Sequence, residues 1–222
     1  MSADLASDSV RALAAELRRR SAGDPALAPF AARLDQVDCS SARFDRPRPC
    51  THAMMAQLGP ALDAAAGEPR LLAATRAVAG AVNWYQVYRG EGIDPGLAEG
   101  MLGGQIAGQV GILASDTLRT GLFLLAPGIH YPLHTHGAAE LYYCMSGRLA
   151  LQHGTAGTPF ELRPGDCSVT PTHRLHSLDT GAGPVLLLYV WIGDVDSPNW
   201  WWERRPEGGW RRVNWSRTPD GS

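Results

Sequence analysis

The sequence predicts a mainly β protein, an antiparallel sandwich or barrel behind an α-helical N-terminal region. Three observations point there. Before Gly90 the chain is rich in Ala, Leu and Arg at helical spacing. Between Gly90 and Gly104 it turns glycine-rich, with "EGIDPGLAEGMLGG". After Gly104 it breaks into short apolar or alternating runs split by Gly and Pro, the mark of many short strands. Residues 1–90 therefore read as a helical region and 91–222 as the β domain.

The elements follow in order. Val10, Leu13, Ala14 and Leu17 share one helical face, with Ser7 or Asp8 as the cap. Asp24 caps a second helix that has Pro25 at its first position. Thr51 is the expected cap of a third, running to Leu62, and "EPRLLAATRAVAGAV" makes a fourth. The aromatic "NWYQVY" just before the boundary runs back toward the β region. Strands are expected at Gln105–Leu113, Arg119–Leu125, Leu141–Cys144, Arg148–His153, Phe160–Leu162, Cys167–Thr170 and Val185–Ile192. The terminal "WWWERRPEGGWRRVNW" reads as edge or dimer material, because exposed apolar area of that size asks for a partner.

Composition excludes several function classes. Every basic residue is arginine, which removes Schiff-base chemistry and Walker-type phosphate loops. Net charge is −2, without a basic patch interleaved with aromatics, so nucleic acid is not the expected partner. Cys39, Cys50, Cys144 and Cys167 form no CxxC pair and read as thiols of a reducing compartment. The N-terminus lacks the basic start and apolar run of a signal peptide, and no stretch is apolar enough to span a membrane. The expectation is a cytoplasmic protein without membrane association.

One ten-residue span, "HTHGAAELYY" at 134–143, concentrates the chemistry. Alternation along a strand puts His134 and His136 on one side. Glu140 and Tyr142 share a face once the strand resumes after the "GAA" turn. Buried together, such groups cost free energy unless they find a partner, and a metal ion satisfies several at once. A later strand offers His176 in "TPTHRLHSL". Imidazole and carboxylate donors suit Fe, Zn, Mn, Ni or Co, so ligand type does not select the metal. His52, His130 and His153 are expected as surface or satisfied core histidines, and His173 as a loop residue.

These residues resemble a known pattern. Gly128, His134, His136, Glu140 and Gly147 match the first cupin motif, G(X)5HXH(X)3E(X)6G, at every spacing. Gly165, Pro171 and His176 match the second, G(X)5PXG(X)2H(X)3N, with His173 in place of its glycine and Thr180 in place of its asparagine. The resemblance implies a single cupin jelly-roll barrel (a double-stranded β-helix) with one divalent metal at His134, His136, Glu140 and His176.

A narrower resemblance covers most of the chain. The helical N-terminal region, "NWYQVY", "HTHGAAELYY" and Tyr189–Trp191 are similar to the cupin-type dimethylsulfoniopropionate lyases. That similarity implies a lyase that cleaves a sulfonium carboxylate to dimethyl sulfide and acrylate. It places Tyr142 beside the metal, aligns Tyr131 and His134 with the tyrosine and histidine just upstream of the main metal histidine, and Trp191 with a late-strand tryptophan. In some members the tyrosine and only one histidine of the HxH pair contact the metal.

The chemistry fits from below. A divalent ion grips the substrate carboxylate and acidifies the neighbouring C–H. Tyr142, its anion favoured beside a cation, is the expected base. The sulfonium needs aromatic faces, and Trp84, Tyr85, Tyr88, Tyr131 and Trp191 are the candidates. A cupin dioxygenase or isomerase on another small carboxylate, and a non-catalytic sensing cupin, use the same ligands. Neither specifically requires Tyr142 and the aromatic set.

Overall fold

The computed structural model describes residues 2–44, 46–90 and 93–214. Among these residues there are five α-helices: α1 (Ser2–Arg20), α2 (Ala28–Leu34), α3 (Leu58–Asp63), α4 (Pro69–Ala79) and α5 (Pro95–Gly100). The strands are β1 (Trp84–Gln86), β2 (Met101–Gly108), β3 (Leu113–Ala114), β4 (Leu118–Leu125), β5 (His130–Thr135), β6 (Ala138–Ser146), β7 (Leu149–His153), β8 (Phe160–Leu162), β9 (Cys167–Thr170), β10 (His176–Thr180), β11 (Val185–Gly193), β12 (Trp200–Arg204) and β13 (Trp210–Asn214). They form two sheets, ordered β1-β2-β4-β11-β6-β9, with β3 beside β2, and β13-β12-β5-β10-β7-β8. Nearly all pairing is antiparallel, and consecutive strands often cross between sheets, which makes this a jelly roll of two facing sheets rather than one closed hydrogen-bonded barrel.

Each side chain of the first sheet serves one of two cores. Along β6, Leu141, Tyr143 and Met145 face the helices, while Glu140, Tyr142 and Cys144 face the second sheet. Along β11, Leu186, Leu188 and Val190 meet the helices, and Leu187, Tyr189 and Trp191 point inside. Helix α1 supplies Val10, Leu13, Ala14 and Leu17 to the outer core, all at most 1% exposed. Each such leucine contributes about 1.5–3 kcal/mol by leaving water. At the end of α1, Arg20 pairs with the buried Glu16 at 2.5 Å and reaches Tyr143 Oη at 3.4 Å, which ties the helix to the back of β6. Tyr143 thus turns away from Tyr142, as the alternation requires, and packs under the helices rather than between the sheets.

Helix starts differ in detail from expectation. α1 begins at Ser2, so Ser7 and Asp8 lie inside it. Asp24 does cap, accepting from Ala26 N at 3.1 Å, but it opens a 3-10 turn (Pro25–Leu27) that leads into α2. His52, not Thr51, caps the next 3-10 turn (Ala53–Gln57), because its Nδ1 accepts from Met54 N at 3.2 Å. The expected boundary falls on residues 91 and 92, which lie outside the described residues, as does Trp215 of the terminal tryptophan run. Beyond it, Asp94 accepts from Leu97 N and starts α5 inside the glycine-rich stretch. β1 pairs with β2 across Trp84↔Gly104, so the first sheet already begins at "NWYQVY".

The motif glycines all mark left-handed backbone. Gly128, Gly147 and Gly165 have φ of 69°, 80° and 95°. At Gly147 a Cβ would lie 2.4 Å from Pro184 O. His173, where the second motif has glycine, also takes φ 58°, and its N–H donates to His136 O at 3.0 Å. The loop keeps the shape that a glycine would give it, with the strain a non-glycine residue carries in that region.

Candidate metal centre

Four side chains meet between the sheets. His134 and His176 come from β5 and β10, directly opposite each other in register. Glu140 comes from β6 in the other sheet, and His136 from the short link between β5 and β6. That link is only His136 and Gly137, because β6 already starts at Ala138 and the expected "GAA" turn is mostly strand. All four are at most 2% exposed, and their ligand atoms lie within 4.8 Å of one another.

The hydrogen bonds behind the histidines determine what the cluster can hold. His134, His136 and His176 place Nδ1 at 2.8, 2.9 and 2.9 Å from the main-chain oxygens of Pro132, Ala138 and Arg174. A carbonyl only accepts, so each Nδ1 carries a hydrogen and Nε2 is the atom that each ring turns toward the cluster. The Nε2 atoms of His136 and His176 then stand 3.0 and 3.2 Å from Glu140 Oε2, itself an acceptor. Imidazole and carboxylate lone pairs cannot face each other in a dry interior, so a positive centre belongs there: a metal ion, or in its absence a proton on the imidazole. The donor set fits a divalent cation, and the oriented Nδ1–H groups are the outer support that metal-binding histidines use.

Electrostatics agree. Burial, with help from His176 and His136, pushes the His134 imidazole well below its ordinary value, which keeps it in the neutral form that a cation needs. Burial alone would raise Glu140, but hydrogen bonds and charge from His136 and His176 outweigh it and hold the carboxyl well below its usual range. Burial and the adjacent Glu140 carboxylate push the Tyr142 phenol well above its ordinary value. Cys144, also on the inner face of β6, is pushed up to about 12 by burial and offers no thiolate.

Trp191 holds the remaining carboxylate oxygen. Its Nε1–H donates to Glu140 Oε1 at 2.5 Å, and its ring stacks on His136 with centroids 4.2 Å apart. Register makes this possible, since Trp191 sits directly across from Glu140 on β11. Trp191, expected among the sulfonium-binding rings, braces two of the four donors. Trp191→Phe keeps the stacking and removes the donor, so metal affinity should fall about 10–100-fold with the fold intact. Calorimetric titration with Zn²⁺ checks this, and unchanged affinity would remove Trp191 from the support.

The other aromatics divide between the two cores. Tyr131 stacks on His134 at 3.9 Å, and its hydroxyl bonds that of Tyr88. Tyr142 lies 6.4 Å from Phe123, centroid to centroid, and Phe123 stacks on Tyr189 at 4.2 Å. Tyr85 is half-buried over Gly103 at the edge of the inner core. Trp84 is a correction. Strand parity turns it to the helical side, where its Nε1–H donates to Ala79 O at 2.9 Å, so it faces the outer core rather than the donor cluster.

Sequence reasoning missed Trp201, Asn199, Phe123 and Tyr189. Trp201 meets the Tyr88 ring edge-on at 5.1 Å and lies across from His134 in register. The terminal hairpin thus caps the open edge of β5, and among its described tryptophans only Trp210 is prominently exposed. His130, His153 and His52 lie outside the cluster. His130 pairs with Asp179, His153 Nε2 meets Thr170 Oγ1 at 3.1 Å, and His52 caps a turn.

A jelly roll that gathers an HxH pair, a glutamate and a later histidine between its sheets is a cupin. Within that superfamily the chain belongs to the dimethylsulfoniopropionate (DMSP) lyase family, whose model matches residues 26–187. It is 28% identical over 194 residues to dimethylsulfoniopropionate lyase DddQ of Ruegeria pomeroyi, covering 83% of this chain and 90% of that protein. The crystal structure of DMSP lyase DddQ from Ruegeria pomeroyi DSS-3 superposes with a TM-score of 0.65 at 24% identity, over 86% of this chain and 94% of that one. A structure from the work on DMSP lyases RdDddP and RnDddQII gives 0.62 at 22% identity, over 86% and 97%. At those identities the two structures speak for the shared fold.

Proposed function

We propose that this chain is a metal-dependent carbon–sulfur lyase that cleaves DMSP to dimethyl sulfide and acrylate by β-elimination. The observation that carries the reading is the dry set of imidazole Nε2 atoms facing Glu140, with Tyr142 on the same strand face two residues on, in a chain of this family. His134, His136, Glu140 and His176 would hold the ion. When bound, a divalent cation supplies a Lewis acid that grips the substrate carboxylate, acidifies the C–H beside it and draws the Tyr142 phenol down from its raised value.

The chain's own residues do the rest. Tyr142 Oη takes the proton from the carbon next to the carboxylate. The electron pair of that C–H bond becomes the new C=C bond. The C–S bond breaks with its pair on sulfur, and neutral dimethyl sulfide leaves. The sulfonium end is assigned to the inner aromatic wall of Tyr88, Tyr131 and Trp201, whose faces attract a cation without offering a strong nucleophile. Full burial of the donors keeps bulk water from the reacting atoms.

The rest of the proposal concerns setting. Residues 1–90 and 91–222 are proposed as a helical layer and a jelly-roll layer that share the outer core. A homodimer through the tryptophan-bearing hairpin is proposed on the exposure of Trp210. A cytoplasmic location is supported by four unpaired cysteines, and no described helix is long and apolar enough to cross a membrane. Headspace gas chromatography on metal-reconstituted protein tests the function. Dimethyl sulfide should appear from DMSP without oxygen, with acrylate in equal amount. Oxygen uptake on another carboxylate, or silence with metal bound, would overturn it.

A further inference from the structure

Three of the four donors stand on strands, where ladder hydrogen bonds fix their direction: His134 on β5, Glu140 on β6 and His176 on β10. His136 does not. It sits in the two-residue link between β5 and β6, so the aim of its ring depends on what holds that link. One planar peptide unit joins His136 to Gly137, and its carbonyl and N–H turn together. Both ends of that unit are engaged. His136 O accepts from His173 N at 3.0 Å, in the loop from β9 to β10. Gly137 N donates to Ser197 Oγ at 2.6 Å, in the loop from β11 to β12. Ser197 Oγ in turn gives its one hydrogen to Asp194 O at 3.1 Å. The loop comes this close because residue 137 is glycine. A Cβ there would lie 2.6 Å from Ser197 Oγ and 2.9 Å from Asp194 Oδ2. The loop is itself tied down, by Val195 in the inner core and by Asp196, which pairs with Arg119 at 2.5 Å.

We propose that Ser197 is a positioning residue for the metal centre: it holds the Gly137 N–H while His173 holds the His136 carbonyl, and together they fix the peptide that aims His136 at the cation. The proposal rests on the reading of the four donors as a metal site. With the peptide pinned at both ends, the link cannot swing about it. The His136 ring then keeps its stack on Trp191 and its Nε2 stays 3.0 Å from Glu140 Oε2. Without the Ser197 hydroxyl, the Gly137 N–H becomes a buried donor short of its acceptor, and the link relaxes to find another. That relaxation moves His136 and spares the three donors held by strand pairing. Groups that orient a ligand without touching the metal carry about 10–100-fold in affinity.

The test is calorimetric titration of the full chain with Zn²⁺, set beside thermal scans of the unloaded protein. Ser197→Ala should lower Zn²⁺ affinity about tenfold. Thr180→Ala is the control, because Thr180 Oγ1 makes the same kind of bonds at the far end of β10, accepting from Ile129 N and donating to Ala126 O, each at 2.7 Å. It should lower the Tm of the unloaded protein at least as much as Ser197→Ala does, yet leave affinity within about twofold. Equal losses of affinity in the two variants would show a merely structural role and overturn the proposal, as would unchanged affinity in Ser197→Ala. Should Ser197→Ala not fold, amide exchange in the unaltered, unloaded protein decides. The Gly137 N–H should exchange slowly, and exchange as fast as that of an exposed loop amide would refute the clamp. Failure of the unaltered protein to bind Zn²⁺ at all would remove the metal site itself and the proposal with it, whereas equal binding by the unaltered protein and Ser197→Ala removes the proposal alone.

Discussion

Tyr142→Phe should abolish most turnover and leave the metal in place. The substitution removes one oxygen from a ring that is 1% exposed, so the β6 backbone and the Phe123 contact survive. What disappears is the group proposed to take the proton. Positioned general bases contribute about 10²–10⁴-fold, and the loss in kcat should lie in that range. The phenol sits high without a cation, since burial and Glu140 both raise it. The same variant should therefore give a second signature: in unaltered protein, metal loading brings a tyrosinate absorbance change into reach at lower pH, and Tyr142→Phe removes it. Rates within twofold of the unaltered protein would take the base role from Tyr142.

Stripping the cation should soften the whole molecule. The donors come from both sheets, Glu140 on β6 and His134 and His176 on β5 and β10. An ion that binds only the folded chain, at about a thousand times its dissociation constant, adds ~4 kcal/mol. For a chain of this size, at about 2–4 °C per kcal/mol, that amounts to roughly 8–16 °C in Tm. Thermal scans with excess Zn²⁺ and with chelator should differ by that amount. His136→Ala should erase the difference, because it removes a ligand and leaves Glu140 Oε2 facing one imidazole fewer. A Tm indifferent to metal in the unaltered protein would count against the whole centre.

Much of this architecture is legible in the residues. Strand alternation and helical spacing are local properties, so the outer face of α1 follows directly. The spacing of the HxH, Glu and later His reflects turn lengths, and the structure gathers those four side chains. Legibility fails where tertiary partners decide. The residues place His134 and His136 along a strand and His176 on a later one, but no bounds for β5 and β10 follow from them, and the pairing of those strands across His134 and His176 is a tertiary fact. Trp84 and Tyr85 are neighbours in sequence with equal claims to the pocket, and only the parity of β1 against Gly103 and Gly104 separates them. Asn199 had no signal at all. Its partner Tyr88 is 111 positions away, and nothing local marks this amide as buried.

The in-and-out alternation of β6 and β11 has a consequence for how such a chain changes over generations. Leu141, Tyr143 and Met145 can co-vary with the helices that cover them, while Glu140, Tyr142 and Trp191 face the interior between the sheets. Because neighbours along a strand look opposite ways, the two sets of constraints interleave in the gene yet never touch in space. The coat of helices can be re-tailored by drift without disturbing the chemistry, provided that insertions or deletions never slip either strand by a single residue, which would exchange the two faces at one stroke.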